Sequence, residues 1–229
     1  MKNKTLAAGL LIIAILSMMA IFAPLISPTD PSLMDQNNLL APPSYTHLLG
    51  TDSMGRDLAS RMIYGARISL SIGVIAMGIA TIIGLILGSA AGFYGGVIDT
   101  LIMRFTDIML CFPTFFLILT VAATLESSIF NIMAIIGLTG WMGQARLIRG
   151  EILSLKEREF IQASRAIGCS DFRIIFRHLI PNAIGPVLVN ATLGIAGAIL
   201  LESGLSLINS TAWLIWSMVV PSCVSQLLH

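Results

Sequence analysis

The stretch GEILSLKEREFIQASRAIGCSDFRIIFRHLIP, residues Gly150–Pro181, interrupts a chain that otherwise consists mainly of apolar segments. Together with two arginines just before it, this stretch carries more than half of the thirteen Lys and Arg residues of the chain. An internal loop so rich in positive charge predicts a surface for docking a soluble partner. The basic residues are Arg146, Arg149, Lys156, Arg158, Arg165, Arg173 and Arg177.

The composition points to a membrane protein. Of 229 residues, 56% are hydrophobic and 11% are charged, whereas soluble domains carry about 25% charged residues. The mean hydropathy is +0.90, so lipid is the expected solvent. The net charge of +1 gives no indication of nucleic-acid binding. Three scattered cysteines and three dispersed histidines predict no disulfide framework, no metal site and no cofactor.

Six charge-free stretches approach or exceed the roughly 20 residues that cross a bilayer. Five are expected spans, and the sixth is doubtful because polar residues and Pro221 interrupt it. Because helices satisfy their own backbone groups in lipid, the sequence predicts an all-α polytopic membrane helix bundle. The first stretch is too long for a signal peptide and is interpreted as a retained helix. The six stretches are Thr5–Thr29, Ile68–Ile98, Ile108–Leu125, Ser127–Ala145, His178–Leu201 and Ser203–His229.

The distribution of Lys and Arg predicts the orientation. A cytoplasmic N-terminus places ten basic residues inside and leaves Arg56, Arg61 and Arg67 outside. We therefore expect a multi-pass protein of the plasma or inner membrane, with its N-terminus and the late loop (residues 146–181) in the cytosol. Two parts are expected: residues 1–67, a membrane helix with an external segment, and residues 68–229, a core that carries the late loop.

The external segment begins with several prolines and changes to helical spacing from Asp57. Its stretch Gly50–Asp57 lacks the Gly-Lys-Ser/Thr ending of a phosphate-binding loop and the spacing of a calcium loop. It therefore predicts a turn followed by a capped interfacial helix.

The late loop reads as two short helices joined by a corner at Ile167–Asp171. Glu151–Ala166 is rich in helix formers, and Gly168 suits the left-handed position that closes a helix. Ser170 is expected to cap the next helix, and Pro181 to end it. One apolar stripe is expected along that second helix, formed by Phe172, Ile175, Phe176 and Leu179.

These residues also carry a family resemblance. Gln162-Ala163-Ser164, followed by Gly168 and Pro181, resembles the "EAA" loop of permease subunits in ATP-binding cassette (ABC) importers. Three further stretches are similar to the C-type subunit of the dipeptide, oligopeptide and nickel permeases: Gly50–Asp57, Gly92–Asp99 and Glu202–Ser206.

The resemblance implies a type I ABC importer transmembrane fold, whose cytosolic corner enters a groove on an ATP-hydrolysing subunit. ATP hydrolysis is then expected on partners, not on this chain. The implied partners are a homologous second permease, two ATP-binding subunits, an extracytoplasmic solute-binding protein and membrane lipid. Gln162 departs from the Glu of the family pattern, so an ion pair there is not expected. The implied coupling residues are Gln162, Ala163, Ser164, Ile167, Gly168, Cys169, Ser170 and Asp171.

Two further features have more than one interpretation. In the second span, Gly84, Gly88 and Gly92 let another helix approach closely, either within this chain or from another subunit. Glu202 borders an apolar stretch beside Ser203, which makes this pair a candidate for the transport pathway and also fits a position at the membrane interface.

The expected function is a permease subunit of an ATP-driven importer for short peptides or nickel. After Leu207 the sequence departs from the family pattern, so a truncated, non-functional remnant is one alternative. A secondary transporter is another, although inverted repeats and charges in mid-membrane are not evident. An intramembrane enzyme is disfavoured because the sequence contains no HExxH or paired-aspartate motif.

Overall fold

A computed structural model describes residues 4–27, 29–124 and 128–227, and all regular elements in these ranges are helices. Side chains are described there except at positions 5, 6, 122, 123 and 207–227. The predicted all-α class is confirmed. The chain divides into two compact units, Met1–Ser71 and Ile72–His229.

The first unit contains α1 (Lys4–Ile21), α2 (Ala23–Ile26), an irregular segment and the start of α3 (Leu58–Tyr94). The irregular segment closes on the turn Gly50–Asp57. Gly50 and Gly55 have φ angles of +79° and +73°. A Cβ at position 55 would lie 1.9 Å from the carbonyl oxygen of Asp35, so glycine is required there.

Two carboxylates organise this turn. The Asp52 carboxylate accepts hydrogen bonds from the backbone N–H groups of Met54 (2.8 Å) and Arg56 (2.9 Å). Asp57 caps α3 by accepting from the backbone N–H of Ser60 at 2.7 Å, and its other oxygen lies 3.1 Å from His47 Nδ1. The predicted turn followed by a capped helix is therefore confirmed.

The second unit begins within α3 and is built from the helices that follow it. They are α4 (Gly96–Cys111), α5 (Thr114–Thr124), α6 (Ile129–Lys156), α7 (Glu159–Ala166), α8 (Asp171–Arg173), a π-helical turn (Ile174–Leu179) and α9 (Ile180–Leu227).

Two described helical segments are long and apolar enough to cross a membrane, Leu58–Tyr94 and Asp171–Ser206. A third span results if α4 and the first part of α5 count as one, although they meet at 78°. Five spans are thus not confirmed. In the most apolar 18-residue stretch of each long segment, only 28% (Leu58–Tyr94) and 11% (Asp171–Ser206) is buried. Much apolar surface is therefore left for lipid or other subunits.

The differences from the predicted spans have local causes. The third predicted span is broken because Pro113, which has no backbone N–H, separates α4 from α5. The fourth lies in α6, which is less apolar since it carries Gln144 and Arg146. The fifth stretch and the described part of the sixth lie in one continuous helical segment, the end of the π-helical turn followed by α9, and the sixth lies mostly beyond the described side chains.

The glycine positions of α3 contact α6 within this chain. A Cβ at Gly84 would lie 2.5 Å from Gln144 Cβ, and one at Gly88 would lie 2.6 Å from the carbonyl oxygen of Ala145. Of the two interpretations of this stripe, the structure shows the one within the chain. The two helices can approach each other this closely because glycine has no side chain.

Ion pairs join α4 to α6. Arg149 binds Asp99 through two hydrogen bonds, of 2.5 Å from Nε and 2.6 Å from a terminal nitrogen. Arg146, which lies three residues before Arg149 in α6, pairs with Asp107 of α4. Two of the basic residues assigned to the late loop therefore hold helices together.

Candidate functional site

The corner of the late loop is a Schellman turn. Gly168 has φ +78°, its N–H donates to the carbonyl of Arg165 at 2.9 Å, and the N–H of Cys169 donates to the carbonyl of Ser164 at 3.1 Å. These two bonds define the motif and satisfy the last carbonyls of α7. The predicted left-handed glycine is confirmed.

The helix before the corner is shorter than predicted. α6 ends at Lys156, and α7 begins only at Glu159, so the expected helix Glu151–Ala166 is broken. At the break, Arg158 has extended backbone angles (φ −71°, ψ 143°). Its carbonyl then accepts the first hydrogen bonds of α7, from the N–H groups of Ile161 (3.0 Å) and Gln162 (3.2 Å).

Two details after the corner also differ from the prediction. Ser170 occupies the N-cap position of α8, but its side chain makes no capping hydrogen bond. Pro181 does not end the helix, which continues into α9. Proline lacks an N–H and crowds the carbonyl four residues back. The π-helical turn Ile174–Leu179 directly precedes Pro181 and provides a wider turn at the point where the α-helical bond is lost.

A hydrophobic cluster fixes the loop to the helices of the second unit. Ile161 of α7 is fully buried, as are Ile148 and Ile152 of α6 and Ile174 and Leu179 of the π-helical turn. These side chains belong to one cluster, which also includes Phe93 at the end of α3 and Val187 of α9. α7 is therefore seated on the ends of three long helices.

Polar contacts reinforce this seat. The ammonium group of Lys156 donates to the carbonyl of Phe93 at 2.9 Å. The guanidinium of Arg165 lies 5.0 Å from the centre of the Phe93 ring, a cation–π contact. Lys156 and Arg165 of the late loop thus both bind the end of α3.

The predicted apolar stripe is only half correct. Ile175 and Leu179 are buried, but Phe172 and Phe176 are 70% and 54% exposed. Their rings pack on each other with centroids 4.3 Å apart. The π-helical turn rotates successive side chains less than an α-helix does, so residues three apart no longer share a face, whereas residues four apart still do.

The predicted coupling residues share one region but differ in exposure. Ser164 is buried and donates from its hydroxyl to the carbonyl of Phe160 at 2.7 Å. Cys169 is half-buried. Ile167 is 80% exposed. The other five are exposed: Gln162, Ala163, Gly168, Ser170 and Asp171.

The candidate pathway residues lie far along α9. Glu202 is half-buried, and Ser203 is exposed and donates to the carbonyl of Ile199 in its own helix at 2.9 Å. Their role stays a prediction.

Sequence reasoning did not find Ile161 or the two aspartates that bind α6. The only indication in the sequence that Ile161 is buried was its helical spacing from neighbouring apolar residues. Asp99 and Asp107 are eight residues apart on α4, and Arg146 and Arg149 are three apart on α6. This complementary charge on two helices was the signal available for the ion pairs.

Comparisons with known proteins agree with this architecture. Residues 80–220 match the family described as "Binding-protein-dependent transport system inner membrane component". Residues 1–43 match the N-terminal TM domain of oligopeptide transport permease C.

Individual relatives align along most of the chain. The oligopeptide transport system permease protein OppC of Bacillus subtilis is 41% identical over 205 residues, which cover 90% of this chain and 67% of that protein. The dipeptide transport system permease protein DppC of Alkalihalophilus pseudofirmus is 42% identical over 91% of this chain and 68% of its own length. The dipeptide transport system permease protein DppC of Haemophilus influenzae is 38% identical over 87% of this chain and 70% of its own length.

A matched region longer than half of the chain, apolar helices of membrane length and relatives at about 40% identity together establish the relationship. This chain belongs to the family of binding-protein-dependent transport system inner membrane components, in the branch of the oligopeptide and dipeptide permease C proteins.

Proposed function

We propose that this chain is a permease subunit of an ATP-driven importer for short peptides. The names of its relatives support peptides as the substrate class. Nickel or a nickel chelate is the alternative that the branch resemblance leaves open. Uptake of a radiolabelled dipeptide, set against uptake of nickel-63 in the same cells, distinguishes the two.

The proposed coupling element is the corner Ile167–Asp171. The observation that carries this proposal is its combination of an exposed surface with a buried base. Ile167 is 80% exposed, whereas Ile161, six residues earlier, is fully buried among the ends of the long helices. A rigid corner on such a base can receive a force from a soluble subunit and pass it to the spans.

The partners proposed for the complex are a second, homologous permease, two ATP-binding subunits and an extracytoplasmic solute-binding protein. In this arrangement the N-terminus and the late loop face the cytosol, as the excess of Lys and Arg predicts. The ATP-binding subunits hydrolyse ATP, and this chain supplies the coupling surface.

Cross-linking tests the docking surface. In a variant without the native cysteines, Ser170→Cys should form a disulfide with single cysteines placed along the groove of the co-expressed ATP-binding subunit. Ser32→Cys, also exposed but in the first unit, is the matched control and should not react. Failure of Ser170→Cys to cross-link, while the complex still assembles, would contradict the coupling role.

Labelling of intact cells tests the orientation separately. A membrane-impermeant maleimide should modify Ser32→Cys in intact cells and Ser170→Cys only after the membrane is opened. The reverse pattern would place the late loop outside the cell and exclude contact with a cytosolic ATPase.

A further inference from the structure

A cavity of about 510 Å³ lies between α3 and the helix that follows the corner. This volume is within the roughly 300–1,000 Å³ typical of ligand sites. Its walls include Ile82 and Ile86 of α3 and Phe172 and Phe176 beyond the corner, and they are almost entirely apolar. Unlike a flat hydrophobic face, it has depth between two helices.

The apolar walls lack a cover within the described part of the chain. Ile82 and Ile86 are 60% and 63% exposed, and the two phenylalanine rings are more than half exposed. Both helices that form the walls belong to segments of membrane length. In the bilayer, lipid chains and other subunits are available to fill such a groove, and the polar and charged groups described next favour a lipid.

One polar group of the cavity has no partner. Ser89 lines it and is 3% exposed, yet its hydroxyl makes no hydrogen bond among the described residues. A buried hydroxyl without a partner is uncommon and costly. An occupant that presents a hydrogen-bond acceptor next to an apolar chain, as the ester carbonyl of a phospholipid does, would satisfy it once the hydroxyl rotates towards the cavity.

The depth of Ser89 fits that assignment. Tyr94 lines the same cavity at the end of α3 and is half exposed, as is typical of tyrosine at the membrane interface. Ser89 lies five residues earlier, which is about 7.5 Å along the helix axis. An ester carbonyl lies at such a depth, between the headgroup and the acyl chain.

The helical segment that carries Phe172 and Phe176 is also basic. Arg173 and Arg177 directly follow Phe172 and Phe176 in the chain, and both are exposed. Neither makes an ion pair in the ranges that the structure describes. Basic residues beside an apolar groove at the end of membrane helices favour an anionic phospholipid over a zwitterionic one.

The geometry points to a binding site for one anionic phospholipid. Its acyl chain occupies the cavity, its ester carbonyl accepts a hydrogen bond from Ser89, and its phosphate lies beside Arg173 and Arg177. The site needs the chain to be in the membrane but does not depend on peptide transport or on ATPase docking. Because Phe172 directly follows the corner, the lipid would brace the helix next to it.

Native mass spectrometry of the protein, purified from membranes with its co-purifying subunits, tests the site. After equilibration with equal amounts of phosphatidylglycerol and phosphatidylcholine, we expect retained phosphatidylglycerol. Arg173→Gln with Arg177→Gln should lower its affinity on the order of 30-fold, since each basic residue near an anionic headgroup contributes roughly fivefold. Arg104→Gln, an exposed arginine of α4, is the control and should change little.

A second pair of variants tests the cavity itself. Ala90→Phe fills it from α3 and should displace the lipid, whereas Val74→Phe adds the same ring at an exposed position of α3 outside the cavity and should not. The melting temperature of each variant shows that it is folded. Equal retention by all variants, or equal retention of phosphatidylcholine, would overturn the proposal.

Photocross-linking identifies the occupant directly. A photoreactive amino acid at position 172 should yield an adduct with the mass of phosphatidylglycerol. Adducts with a polypeptide alone would show that another subunit covers the cavity and would refute the lipid site.

Discussion

At position 168 the backbone adopts φ +78°, a left-handed conformation that glycine accepts without strain and most other residues do not. The two hydrogen bonds of the Schellman turn then end α7 and project Ile167 outward. In the first unit, Asp52 has a comparable role, since its carboxylate binds two backbone N–H groups and the side chains of Arg56 and Arg61. Single residues thus set both tight turns.

Gly168→Ala should weaken the corner through the backbone alone. Nothing lies within 4 Å of the added Cβ, so the cost is the left-handed conformation, roughly 1–2 kcal/mol. We expect a small decrease in melting temperature and a larger decrease in the yield of the Ser170→Cys cross-link. Gly143→Ala, in a helix and with equally open space, is the control. Equal effects of the two variants would contradict a special role for the corner.

The turn around Asp52 should open in acid. The backbone hydrogen bond from Arg56, together with those from Met54 and the charged Arg56 side chain, lowers the pKa of Asp52 from 3.8 to about 2. A lowered pKa means that the stabilisation is complete above about pH 4 and is lost as the pH falls towards 2. The protection of residues 50–57 against hydrogen exchange, measured relative to the intrinsic exchange rate at each pH, should therefore decrease as the pH falls through this range.

Asp52→Asn is the matched variant for this pH dependence. It retains the size of the side chain but cannot titrate, so the protection of its residues 50–57 at neutral pH should already be as low as that of the wild type in acid. A wild-type turn that stays protected at pH 2, or an Asp52→Asn variant that still responds to pH in this range, would contradict the assignment.

At the scale of helices, α3 and α6 approach each other closely in the second unit. Glycines at 84 and 88 bring the backbones together, and Gln144 and Ala145 of α6 fill the space. Arg149 and Arg146 of α6 bind α4. α6 is consequently held by two helices, α3 and α4.

Gly84→Ala should destabilise this contact. The added Cβ would lie 2.5 Å from Gln144 Cβ and 3.1 Å from the backbone nitrogen of Ala145, so the helices must separate. Overpacking of this kind costs roughly 1–3 kcal/mol. Gly78→Ala, six residues earlier in the same helix and with nothing within 4 Å, is the control. A melting temperature equally affected by both variants would show that the close approach is not important for stability.

At the scale of the whole molecule, the second unit connects the late loop to the membrane helices through one hydrophobic cluster. The ends of α3 and α6, the π-helical turn and α9 all contribute side chains to it, and α7 contributes Ile161. The proposed force from an ATPase would reach the spans along this path.

Ile161→Ala and Ile167→Ala separate the base of the loop from its surface. Truncation of the fully buried Ile161 should cost about 2–5 kcal/mol and should uncouple ATP hydrolysis from uptake. Ile167 is 80% exposed, so its truncation should leave the melting temperature nearly unchanged and weaken binding of the ATP-binding subunit. If Ile161→Ala transported substrate with normal coupling, the cluster would not be the path of force.

The sequence by itself determined the helical class, the membrane environment, the corner at Gly168 and the family, because these follow from composition, local turn chemistry and motif spacing. Only the tertiary structure decided which helices pack together and what each polar residue does. Pro181 lies within a helix because a π-helical turn precedes it, and the α3 glycines face α6 of the same chain. Arg146 and Arg149 bind α4 because folding brings two distant helices together, and the spacing of residues along one chain does not contain that information.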